Sequence, residues 1–162
     1  MKMKKNAKYI ILAVLLLILV LLIAIIGIRN REKTTVCSLK NNQISSGYSI
    51  NSTYEIHSKR KIVSTIIINQ KITSKDEKIL KEFKDSFEKQ YKNYNKTYGG
   101  YQYSGKINKD TFTSKVIVDY KKVDLDKFVK DNEAMKEYMN KKNKFTIDGA
   151  KKMYEYMGAS CK

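Results

Sequence analysis

Residues 48–100 read YSINSTYEIHSKRKIVSTIIINQKITSKDEKILKEFKDSFEKQYKNYNKTYGG, and the hydrophobic period changes once within them, from two to about 3.6. Tyr48, Ile50, Tyr54 and Ile56 alternate with Ser49, Asn51, Thr53 and Glu55. That alternation predicts a strand with one buried face. His57–Lys61 reads as a charged turn. Lys61–Ile72 then carries Ile62, Ile66 and Ile68 on one face and Val63 and Ile67 on the other, a β-branched density suited to a second strand. Past Ser74 the apolar residues Ile79, Leu80, Phe83, Phe87, Tyr91 and Tyr94 recur every three or four positions. This spacing predicts an amphipathic helix. Ser74 and Glu77 fit a capping box at its start, and Gly99-Gly100 ends it.

Working outward toward the carboxyl terminus, Tyr101 and Tyr103 open a third strand. Ser104-Gly105 or Asn108-Lys109 supplies the turn. Phe112, Val116, Val118 and Tyr120 line a fourth strand. Asp124 caps a helix with Leu125, Phe128 and Val129. Met135, Tyr138 and Met139 extend it or form another short helix. Asp148 caps a last helix through Met153, Tyr154 and Met157, which Gly158 ends. Similar residues recur at an offset of fifty, as in Ile62/Phe112, Ile66/Val116 and Ile68/Val118. The expected fold is therefore α+β: an antiparallel sheet with helices on one face, in the order ββαββα plus a C-terminal helix.

Working outward toward the amino terminus, Tyr9–Ile28 is an apolar run without a charge. A helix of this length spans about 30 Å, the thickness of a bilayer's hydrocarbon core. Lys2, Lys4, Lys5 and Lys8 precede it, against Arg29, Arg31 and Lys33 after it. That bias favours a cytoplasmic amino terminus. The run is too long for a cleaved signal's apolar region, and no A-x-A-like site follows it. Cys37 lies nine residues beyond Ile28, which does not suit a lipidation site. The expected organisation is a basic cytoplasmic segment (1–8), a transmembrane signal anchor (9–28), a linker (29–36) and an extracellular α+β domain (37–162).

The chain carries a formal charge of +17. Residues 1–33 hold seven cations and one anion, which leaves 26 cations and 15 anions, or +11, in the remainder. Such a charge concentrates anionic partners. The cations are thirty Lys and three Arg, and Pro and Trp are absent. Lys, Asn and Ile are abundant, as an AT-rich bacterial genome encodes, so part of the charge reflects codon usage. Scarce Arg speaks against bidentate phosphate or nucleic-acid recognition. Cys37 and Cys161 bracket the outer domain. In an oxidising compartment an even count points to a disulfide. Closing a loop of about 125 residues would stabilise the fold by about 4–5 kcal/mol in the chain-entropy model.

No catalytic or nucleotide-binding motif is present. His57 is the only histidine. It reads as a surface turn residue, with a Cys37–His57 nucleophile pair as the catalytic alternative. No metal site and no cofactor is expected. The segment YKNYNKTYGGYQY, residues 91–103, holds Tyr91, Tyr94, Tyr98, Tyr101 and Tyr103 with Lys92 and Lys96 interleaved. Such a set is either a helix stripe continued into a strand, or an exposed platform for sugars or phosphate-bearing polymers.

The stretch KVIVDYKKVDLDKF, residues 115–128, resembles the closing strand and following helix of small secreted bacterial YehR-like lipoproteins. The order of elements from Tyr48 to Phe128 is similar as well. The resemblance implies a secreted α+β fold, with no catalytic residues to carry over and a transmembrane helix here in place of the lipid. The expected role is a non-enzymatic cell-envelope module in a single-pass membrane protein. Its partners would be an anionic wall polymer, lipid head groups or a membrane protein, with no nucleic acid. The alternatives are an accessory subunit of a membrane complex and a hydrolase whose site carries no recognisable motif.

Overall fold

The computed structural model describes residues 15–25, 27, 31–43 and 47–162. Residues 15–25 are helical and exposed. The rest of the expected anchor, apart from Gly27, lies outside the described residues, as does the basic segment 1–8. Among the described residues no helix is long and apolar enough to cross a membrane. The chain divides into two units, Met1–Glu32 and Lys33–Lys162.

The period-two stretch folds as a hairpin of β2 (Tyr48–Lys59) and β3 (Ile62–Ser74). The expected turn is shorter than the sequence suggests: His57 stays in β2 opposite Thr65, a bulge follows it, and only Arg60 and Lys61 turn the chain. Both have positive φ, 51° and 65°. This left-handed pair matches the twist of the flanking strands. Helix α1 (Glu77–Tyr98) follows as its stripe predicts. The expected capping box does not form. Ser74 Oγ donates to the Gly47 carbonyl at 2.8 Å, while Asp76 caps the helix by accepting from Lys78 N at 2.8 Å.

Strands β4 (Tyr101–Asn108) and β5 (Thr111–Asp119) form a second hairpin, which turns at Lys109 and Asp110. Helix α2 (Leu125–Asp131) is capped by Asp124, as expected, through Lys127 N at 3.0 Å. A 3-10 turn over Glu133–Tyr138 leads to helix α3 (Ile147–Tyr156). Thr146, not Asp148, caps α3, accepting from Gly149 N at 3.0 Å. Thr146 has the extended backbone a cap needs, whereas Asp148 already lies in the first turn. The buried Gly149 lets α3 approach the Tyr138 carbonyl, where any Cβ would collide.

The sheet has six strands, in the order β4-β5-β3-β2-β1-β6, rather than the four expected. Strand β1 (Glu32–Gln43) runs through part of the segment expected as a linker, and β6 (Ser160–Cys161) is a two-residue edge. Cys37 and Cys161 stand opposite each other on β1 and β6 and form the expected disulfide. Val36 and Lys162 exchange both backbone hydrogen bonds beside them, so the cysteines occupy the closer, non-hydrogen-bonded pair position. Ile67 of β3 faces Ile117 of β5, the residue fifty further on. The two hairpins thus meet side by side at that pair.

Among the described residues, the buried apolar clusters lie on one face, beneath the helices. Ile72, Phe112 and Leu80 of α1 form one. Val116, Val118 and Tyr101 pack with Val123 and the tyrosines of α1 in a second. Tyr54, Ile56 and Ile66 pack with Phe145, Ala150 and Tyr154 in a third, which includes Cys37. A polar row crosses this buried face: Ser52 Oγ accepts from Gln70 Nε2 (3.5 Å), and Ser114 Oγ donates to Gln70 Oε1 (3.4 Å).

Candidate functional site

The tyrosines of the segment pack together between α1 and the sheet. Tyr91, Tyr94 and Tyr98 lie one helical turn apart on α1 and pack against the core face of β4 and β5. The Tyr91 and Tyr103 rings stack at 5.6 Å, and Tyr94 meets Tyr101 at 5.5 Å. Tyr98 sets its ring edge-on to Phe128 at 5.1 Å, with Lys127 Nζ 5.5 Å from its centroid. Tyr101 is buried and the other four are half-buried. Burial pushes the Tyr91 hydroxyl up to about 12 and raises that of Tyr101 further. Both stay neutral at ordinary pH. Lys92 and Lys96 point to solvent, and Lys92 pairs with Glu88 at 2.6 Å along the helix. A cleft of ≈ 390 Å³ opens between α1 and the outer edge of β4, lined by Glu88, Tyr91, Lys92, Asn95, Tyr103 and Gly105 among others.

Among the described residues of Lys33–Lys162, no helix packs on the opposite face of the sheet. Antiparallel registers place its side chains in rows across four strands. One row runs Asn51, Lys71, Thr113, Lys106, and the next runs Thr53, Asn69, Lys115, Ser104. Together they line a concave depression of ≈ 610 Å³. Lys71, Lys106 and Lys115 are exposed, and among the described residues none of them forms an ion pair. The neighbouring row holds Glu55, Ile67, Ile117 and Gln102. There Glu55 accepts a hydrogen bond from Asn69 Nδ2 at 3.3 Å.

The catalytic alternative is not assembled. Cys37 is fully buried in its disulfide, and His57 Nδ1 lies 3.2 Å from Thr34 Oγ1. Among the described residues no group of three His, Cys, Asp or Glu side chains is placed to hold a metal ion. Sequence periodicity alone does not reveal the cationic rows. Each lysine sits at an outward position of its alternating strand, but its neighbours come from strands distant in the chain.

No family model and no curated protein matches the chain. Among solved structures, the solution structure of the Escherichia coli YehR protein is similar, with a TM-score of 0.51 and 15% identity over 82% of this chain and 91% of that one. A protein from Streptococcus pneumoniae TIGR4 aligns with a TM-score of 0.40 and 20% identity, over 62% of this chain and 67% of that one. The chain thus has a YehR-like fold.

Proposed function

We propose that this chain is a single-pass binding module of a bacterial cell envelope. Residues 9–28 anchor it in the membrane, residues 1–8 stay in the cytoplasm, and the α+β domain stands outside. It acts by binding rather than by catalysis, toward an anionic wall polymer, lipid head groups or a neighbouring membrane protein. The observation that supports this most is the Cys37–Cys161 disulfide. Such bonds persist in oxidising compartments and are rare where thiols are kept reduced. The apolar run without charges and the excess of Lys agree with it.

The test is protease accessibility in wall-stripped cells. Added protease should remove the domain while a cytoplasmic marker stays whole, and thiol labelling should require prior reduction. A domain that resists protease until the cells are lysed would overturn the reading.

A further inference from the structure

We propose that the open face of the sheet binds a linear polyol phosphodiester, laid across the strands over Lys71, Lys115 and Lys106. This rests on the envelope-binding reading above and names the ligand class and the surface. Lys71 and Lys106 both stand opposite Thr113, one on each side of β5. Two strand spacings separate them, about 10 Å. Lys115 stands on β5 itself, two residues along, about 7 Å in the strand direction. Three cations thus surround the ≈ 610 Å³ depression on three strands.

Among the described residues none of the three is held in an ion pair. The carboxylates on this face lie outside the two rows: Glu55 is one row away and hydrogen-bonded to Asn69, and Asp119 lies at the far end, 3.6 Å from Lys122. A lysine ammonium serves a phosphate as a point charge and does not need the fork geometry of arginine. Between the cations stand Asn69, Ser104 and Thr113, with Asn51 beyond Lys71, neutral groups that donate to and accept from hydroxyls. Alternating phosphate and hydroxyl groups on a chain meet this alternation of ammonium and amide or hydroxyl groups.

The same rows disfavour other polyanions. They carry no aromatic side chain, and single-stranded nucleic acid is held by stacking on such rings. They carry no bulky apolar side chain to enter a lipid surface. A concave surface also suits a chain better than a flat bilayer.

The test uses the full chain in nanodiscs of neutral phosphatidylcholine, with a synthetic glycerol-phosphate oligomer as probe. The variant K71Q/K106Q/K115Q is compared with K81Q/K89Q/K141Q, which removes three exposed lysines outside the two rows. The first should weaken binding about tenfold and flatten its salt dependence, and the second should change it less than about twofold. Amide shifts on titration should centre on Asn51, Asn69 and Thr113. Equal losses in the two variants would reduce the effect to general charge and overturn the proposal. So would tighter binding of single-stranded DNA, or of phosphatidylglycerol nanodiscs, through the same three lysines. No binding at low salt would overturn it too, while leaving the protease-accessibility result to stand separately.

Discussion

Tyrosine supplies much of the buried polar chemistry at the scale of single residues. Tyr54 and Tyr154 stack at 4.0 Å beneath α3, and Tyr120 meets Phe145 at 5.2 Å. Burial is the first cause that raises Tyr91, Tyr101, Tyr120 and Tyr154 above the ordinary value of 10.0. Phenolate forms reluctantly inside the fold, so the native state holds these protons longer than the unfolded chain. Their contribution to stability is complete below pH 10 and is lost as pH rises through the folded-state values, about 12 for Tyr91. In an alkaline titration, phenolate absorbance of this set should appear together with loss of the circular dichroism signal. Its appearance near pH 10 with the fold intact would contradict their burial. The sequence placed these residues on the right faces, since Tyr91 and Tyr94 follow the helix stripe. Knowing which rings they meet required the tertiary partners, because periodicity names a face and not what covers it.

Elements were legible where their signal was local. The stripe of α1, the cap at Asp124 and the alternation of β2 all follow from residues a few positions apart. The misread caps share one cause: several side chains competed for each helix start, and tertiary contacts decided. Ser74 was committed to Gly47, and Thr146 had the extended backbone that Asp148 lacks. Strand β1 lies between β2, the next strand in the chain, and β6 at the far end of the domain, and its own alternation is too weak to announce it. The β2–β3 turn carries a strain the sequence did not announce, with two lysine-or-arginine residues in the left-handed region. Lys61→Gly relieves one of them, offset by the greater freedom of Gly in the unfolded chain, for a net gain of about 0.5–1 kcal/mol. The lost Lys61–Asp148 pair, 3.9 Å apart and exposed on both sides, contributes little. A higher urea midpoint at unchanged slope is the expected readout. A lower midpoint would mean that the turn is not strained.

Closure and asymmetry matter most at the scale of the whole molecule. The disulfide joins residues 124 positions apart. It fastens β6, a two-residue edge strand whose ladder alone is short, to β1. Replacing both cysteines by alanine should cost about 4–5 kcal/mol in urea unfolding, and reductant should then have no further effect on the variant. A loss below about 1 kcal/mol would show that the loop contributes little entropy to the unfolded chain. Asymmetry arises from the layers: among the described residues of Lys33–Lys162, three helices and a 3-10 turn lie over one face, while the other presents rows of Lys, Asn and Thr.

From the residues alone came the α+β class, the ββα order in each half, the pairing of the cysteines and the apolar run at the amino terminus. Each depends on short-range period or on a count of two, which need no knowledge of neighbours. Strand order, the two added strands, the choice among competing caps and the assembly of Lys71, Lys106 and Lys115 on one surface depended on the fold. Those are relations between segments far apart in the chain, set only when β3 pairs with β5 and the helices choose which face of the sheet to cover.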